Sequence, residues 1–175
     1  IVRPQQHPPS IVFPEGDDPH ILRAARIVTD EGIARPILLG DVETIQRQAV
    51  EAALPLEDIE LINPRTAPDR EQFAAELLQR RQRRGMTLRE ARARVLDPIH
   101  YGLLMLRAGR TDAVVVGEAV DYPDSIRPAL EVIGVEPGRK HVSGIYMMVF
   151  RQQTLVFADA TENIEPDAET LGEIA

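Results

Sequence analysis

The sequence predicts an α/β fold built on a parallel sheet, and three observations carry that reading. Between Ile11 and Asn63, short apolar runs alternate with amphipathic helical stretches in the order βαβαβ. Ala113-Val114-Val115-Val116 is an unbroken apolar run, as a parallel strand covered on both faces requires. Hydrophobic residues make up 43% of the 175, enough for one domain, or one and a fraction, with a sizeable core.

Residues 1–10 carry Pro4, Pro8 and Pro9 and read as an extended lead-in, because proline lacks the N–H that a helix or central strand needs. Ile11-Val12-Phe13 is the first strand, and the loop Pro14-Glu15-Gly16-Asp17-Asp18-Pro19 stops it. A helix with Ile21, Leu22, Ala25 and Val28 on one face then runs to Gly32. Strands over Pro36–Gly40 and Glu60–Asn63 flank a helix around Val42–Ala53. Arg70 to Arg84 is an amphipathic helix broken by Gly85, and Thr87-Leu88-Arg89-Glu90 is a capping box opening the next. Asp97-Pro98 supplies an N-cap and a first-turn proline for a helix ending at Gly109. Asp112–Gly117 reads as a strand buried on both faces, and Asp124–Ile133 as a helix. After Pro137-Gly138 the pattern becomes a hairpin, Val142–Phe150 and Thr154–Ala158, turning at Arg151-Gln152-Gln153. The organisation predicted is an N-terminal α/β domain over 11–138 and the start of a second over 139–175. The chain opens without methionine and closes on an uncapped helical pattern, so the expectation is a piece of a longer protein.

A net charge of −8 argues against a nucleic-acid partner, which needs a basic face. No apolar run reaches the ~20 residues of a membrane span, so no membrane role is expected. Cysteine is absent, which removes disulfides and thiolate metal sites and suits a cytoplasmic setting. His7, His20, His100 and His141 lie far apart with no i, i+4 pair, so no metal site is expected.

Two arginine sites remain as candidates for an anion. Arg80, Arg81, Arg83 and Arg84 precede Gly85; they serve either as helix-dipole compensation on a solvated face or as a phosphate clamp. Arg127 follows the C-terminal end of the Asp112–Gly117 strand, where open α/β sheets bind ligands, or else pairs with Asp124. The aspartates of the Pro14–Asp18 loop read as helix caps, with Glu15 alone placed like a site residue. No Gly-rich dinucleotide fingerprint, Walker loop or nucleophile elbow is present.

Several segments in order, Ile11-Val-Phe-Pro-Glu-Gly-Asp-Asp-Pro-His-Ile-Leu-Arg-Ala-Ala25, Gly32-Ile-Ala-Arg-Pro-Ile-Leu-Leu-Gly40, Ser125-Ile-Arg-Pro-Ala-Leu130 and Phe157-Ala-Asp159, resemble the phosphate acetyl/butyryltransferase (phosphotransacetylase) family. The resemblance covers about Ile11 to Ala175. It implies a two-domain, three-layer α/β/α architecture with a mainly parallel sheet, related to isocitrate and isopropylmalate dehydrogenases, C-terminally incomplete here. It also implies a homo-oligomer, at least a dimer, that exchanges acetyl-CoA and phosphate for acetyl phosphate and CoA without a metal or other cofactor. Arg127 and Arg81 fall on family arginines near the CoA and phosphate groups. The family's catalytic serine, arginine and aspartate belong to segments after Ala175, so no catalytic residue is expected in this chain and no turnover by it alone.

Active transferases commonly read Val-Ser-Gly-Ala and then Ser-Thr-Ala-Asp before the arginine. Here the first serine is Val116, and the Ser-Thr pair is Asp121-Tyr122, followed by Pro123. A carboxylate beside a phosphate dianion disfavours binding unless an arginine neutralises it. With Thr161-Glu-Asn-Ile-Glu-Pro166, this most resembles the phosphotransacetylase-like domain appended to NADP-dependent malic enzymes. There an N-terminal part decarboxylates malate to pyruvate with NADP and a divalent metal, and the appended domain senses acyl-CoA and supports oligomerisation. The leading expectation is therefore an acyl-CoA-binding regulatory domain with Arg127, Arg81, Asp121 and Tyr122 at the ligand. The alternatives are an active phosphate acetyltransferase and a structural dimerisation module with an empty cleft.

Overall fold

The computed structural model describes residues 8–159 and 165–174. They form two units, one ending at Ile133 and the other beginning at Gly134. The first holds strands β1 (Ser10–Phe13), β2 (Arg35–Leu39), β3 (Glu60–Ile62) and β4 (Ala113–Val114). These lie side by side in the order β3-β2-β1-β4, and every pairing is parallel.

Side chains alternate across this sheet, and the alternation sorts the helices into two layers. Phe13 and Leu38 face α1 (Pro19–Asp30) and α2 (Val42–Glu51), meeting Ile21, Leu22, Ala25 and Ile45. Val12, Ile37 and Leu39 point the other way, into a larger core with Phe73, Leu77, Val95, Leu104 and Val132. Those residues come from α3 (Arg70–Arg81), α4 (Leu88–Val95), α5 (Pro98–Arg107) and α6 (Tyr122–Val132). The result is the expected α/β/α sandwich. The caps read from the sequence also form: Asp18 and Asp97 accept from first-turn amides of α1 and α5, and Thr87 with Glu90 closes a reciprocal box on α4; Asp41 caps α2 in the same way.

The helix read over Arg70–Arg84 is α-helical only to Arg81, with a 3₁₀ turn over Gln82–Arg84, and four further differences bear on the packing. Ser10 is not lead-in but the buried first residue of β1, its N–H and Oγ both donating to Asp112 Oδ2, at 2.7 and 2.8 Å. The strand expected over Asp112–Gly117 is only Ala113–Val114, half-buried rather than buried on both faces, with Val115 47% exposed. Among the described residues β4 has a neighbour on one side only. Its last ladder bond is Val115 N–H to Val12 O, and the next amides turn toward a side chain. Helix α6 begins at Tyr122, two residues before the expected start, and the Val142–Phe150 strand shortens to Ile145–Val149.

The second unit pairs β5 (Ile145–Val149) with β6 (Thr154–Ala158) as an antiparallel hairpin, followed by α7 (Ala168–Ile174). Every residue of both strands is exposed. Glu173 accepts from the N–H groups of Lys140 and His141, which ties α7 to the chain ahead of the hairpin. Residues Thr161 to Ile164 of the Thr161–Pro166 segment lie outside the described residues.

Gly16 is where β1's loop touches β2. Its N–H donates to Leu39 O at 3.0 Å, and a Cβ there would stand 2.6 Å from the same oxygen and 2.9 Å from Leu38 Cβ. Backbone must move to admit it. We expect Gly16→Ala to destabilise the chain by about 1–3 kcal/mol in urea unfolding, as overpacking does; an unchanged midpoint would show that the loop yields freely.

Candidate functional site

The strand order reverses between β1 and β4, since the chain winds from β1 through β2 to β3 and then returns to β1's other side. Open α/β sheets bind ligands at that crevice, beyond the strands' C-terminal ends. A cavity of about 380 Å³ lies there, lined by Pro14, Glu15, Asp17, Asp18, Asp97, Pro98, Ala119 and Val120 among others. Its charged lining is entirely acidic. Glu15, 9% exposed, turns its carboxylate onto the loop after β4: Oε2 accepts from Gly117 N at 2.9 Å and Glu118 N at 3.2 Å, and Oε1 from Ala119 N at 2.6 Å. A larger cavity, about 480 Å³, lies beside edge strand β3 and holds none of the predicted site residues.

The arginines gather elsewhere. Arg81 and Arg84 line a small cavity, about 130 Å³, with Gly85, Met86, Glu90, Arg94 and Glu131. Burial, and then the neighbouring Arg84 and Arg94 guanidiniums, lower the Arg81 pKa from its ordinary value. Arginine remains charged regardless. Arg94 pairs with Glu131, and the Glu90 carboxylate is engaged by Thr87, whereas Arg81 and Arg84 have no ion pair among the described residues. Two cations without an ion pair, in a cavity whose carboxylates are engaged by Arg94 and Thr87 and beside a glycine turn with φ of +88°, can accept an anion. Arg80 divides from the cluster: it donates to Ile133 O at 3.1 Å, holding the C-terminal end of α6.

Arg127 is exposed on α6 and makes no ion pair with Asp124 among the described residues. It lies one helical turn before Glu131 on the same face, which sets it about 5–6 Å, between Cβ atoms, from a residue of the Arg81 cavity. Asp121 is the N-cap of α6, but its side chain makes no cap hydrogen bond; Tyr122, the helix's first residue, is 51% exposed. Of the four predicted residues, only Arg81 lines the cavity; Arg127 stands a turn from its Glu131, while Asp121 and Tyr122 lie at the other end of α6. Sequence reasoning missed Arg84's place in the same cavity, and it missed Arg94 and Glu131 altogether. It also missed a cluster of Asp18, His20 and Glu118, whose ligand atoms lie within 4.8 Å of one another; His20 Nδ1 is 2.8 Å from Glu118 Oε1 across 98 residues of sequence.

A family model described as phosphate acetyl/butaryl transferase matches residues 2–175. The chain belongs to that family. It is 38% identical over 167 residues to a phosphate acetyltransferase of Synechocystis sp., covering 94% of this chain and 24% of that protein. With the phosphate acetyltransferase of Corynebacterium glutamicum it shares 38% identity over 165 residues, 94% of this chain and 50% of that one. The chain thus spans between a quarter and a half of these relatives. Among solved structures it resembles a phosphotransacetylase from Streptococcus pyogenes, with a TM-score of 0.89, 31% identity, and 98% of this chain and 53% of that one covered. The EutD phosphotransacetylase from Staphylococcus aureus gives 0.87 and 33%, over 96% and 51%.

In this member of the phosphate acetyl/butaryl transferase family, α6 is fastened to the core by charge. Glu131 pairs with Arg94 of α4, and its Oε2 lies 3.3 Å from His100 Nε2 of α5; His100 Nδ1 is 2.6 Å from Asp97 Oδ2. Burial raises the Asp97 pKa, but hydrogen bonds from the His100 ring and amide outweigh it, so the carboxyl sits below its ordinary value. Its contribution to stability is therefore complete above the unfolded pKa of about 4 and is lost as pH falls through the lower folded value. Asp97→Ala should cost about 1 kcal/mol at neutral pH, as for other caps. Paired unfolding curves should show that gap closing as pH falls below the unfolded carboxyl value of about 4.

Proposed function

We propose that the complete protein is a phosphate acyltransferase that converts acetyl-CoA and phosphate to acetyl phosphate and CoA. The observation that carries this reading is the family match over residues 2–175, with relatives that are themselves named phosphate acetyltransferases. In the reaction, a phosphate oxygen attacks the thioester carbonyl, the C–S bond breaks, and CoA leaves as the thiolate that takes up a proton. This chain's part is to hold anions: Arg81 and Arg84 offer forks for a phosphate of CoA or the substrate phosphate, and Arg127 adds a third from the adjoining helix face.

A second reading, an acyl-CoA-sensing domain without turnover, as in the malic enzymes, is favoured by one feature. Asp121 places an exposed carboxylate at the start of the helix that bears Arg127. None of the relatives named above is a malic enzyme, and they favour the transferase.

An assay of CoA release on the full-length protein separates the two. We expect about 1–1000 turnovers per second, the ordinary enzyme range; no turnover alongside acetyl-CoA binding would instead support the sensor. Arg127→Ala should weaken acetyl-CoA binding roughly ten- to a hundredfold, about 1.5–3 kcal/mol, with Arg127→Lys recovering only part, by calorimetric titration of folded variants. Following the family resemblance, the full-length protein should sediment as at least a dimer at micromolar concentration; a monomer there would overturn that part of the proposal.

A further inference from the structure

At the crevice where ligands of open α/β sheets bind, three consecutive backbone N–H groups, those of Gly117, Glu118 and Ala119, converge on one carboxylate that belongs to the chain itself. That carboxylate, Glu15, has no ion pair among the described residues, so three amide dipoles alone compensate its burial. We propose that Glu15 is a positioning residue: an internal anion that holds the loop after β4 and thereby sets the start of α6 at Asp121 and Tyr122 and, through the helix, the place of Arg127 one turn from Glu131 of the Arg81 cavity.

The geometry behind this is continuous. Gly16, pressed against the Leu39 carbonyl, fixes the direction in which Glu15 leaves β1. Beyond Val115 the loop has left the ladder, and Gly117, at φ +122°, adopts a backbone that L side chains rarely adopt, so its amide can face the carboxylate. Two residues after Ala119 comes Asp121, whose side chain does not cap α6. The loop that Glu15 engages thus leads directly into the first turn of the helix, with no side-chain cap from Asp121 between them. Glutamine at position 15 would keep the size and lose the fit, because an amide presents one acceptor oxygen and an NH₂ group where two oxygens meet three donors.

The link to acyl-CoA rests on the transferase reading, so the test uses readouts that fail separately. In full-length Glu15→Gln, hydrogen exchange at Gly117, Glu118, Ala119 and the first turn of α6 should quicken roughly tenfold, while β1 and β2 amides keep their protection. The KM for acetyl-CoA should rise by about the same factor with kcat little changed, the signature of lost ground-state positioning. In Glu15→Ala, added formate should restore both, because a free carboxylate can refill the vacated donors; a purely structural loss would not respond. Unchanged exchange would overturn the proposal, and so would faster exchange with unaltered acetyl-CoA affinity by calorimetry. A wild-type protein that binds acetyl-CoA but makes no acetyl phosphate would defeat the transferase reading and leave exchange and affinity to decide the role of Glu15. If Glu15→Gln does not fold, Glu15→Asp, which keeps the charge but shortens the reach, is read by the same criteria.

Discussion

Val12 and Phe13 are adjacent on β1 and point into opposite cores, and that constraint organises the first unit. A parallel strand buried on both faces has no solvent side, so helices must cover each face and the chain must cross over to supply them. α1 and α2 cover Phe13, and α3 to α6 cover Val12. The cost falls on β4, which pairs with β1 through only two residues. So short a ladder needs support beyond its own bonds. It receives support at each end of β1, from Ser10 and Thr111 with Asp112 before the pairing and from Glu15 after it.

Those two latches differ in kind. At the Ser10 end the hydroxyl and amide donate to Asp112 and hold its pKa below the ordinary carboxylate value, a local exchange of hydrogen bonds between neighbouring strands. At the Glu15 end a carboxylate meets backbone donors that have left the ladder, which is the arrangement by which proteins bind free anions. The first secures register; the second secures the loop that leads to α6.

How much of this was legible follows from sequence distance. The βαβαβ alternation, the capping box at Thr87 and the Asp97-Pro98 start depend on residues within a few positions of one another, and each stands as read. The extent of β4 does not depend on its own valines, because it is set by whether a partner lies alongside; the valine run therefore overstated the strand. The arginine run before Gly85 was visible, but its division was not. Arg80 answers to a carbonyl 53 residues away, and the cavity of Arg81 is completed by Arg94 and Glu131, which carry no signal of their own in the sequence. Glu15 stood out for its place at a strand end, yet its acceptor role needs amides 102 to 104 residues on.

The two cavities divide the electrostatics between them. The charged lining of the crevice between β1 and β4 is all carboxylate, whereas the cavity at the end of α3 sets three guanidiniums, Arg81, Arg84 and Arg94, against the carboxylates of Glu90 and Glu131, in a chain whose net charge is −8. At physiological ionic strength the field of exposed charges fades over about 8 Å, so that net charge does little to repel an anion already at the α3 cavity. What decides its affinity there is local: Arg81 and Arg84 have no ion pair among the described residues, and Arg94 lies close enough to lower the Arg81 pKa. Crowded like charges raise the free energy of the empty cavity, and a phosphate that bridges them relieves that repulsion while making its own hydrogen bonds. The acidic crevice has the opposite bias. An anion entering it meets Asp17, Asp18 and Asp97, and the amides that would have received it are already taken by Glu15. On the proposed transferase reading, this bias favours the arginine side of α6 for phosphate, with the strand-end crevice left to its apolar lining and the chain's own carboxylate.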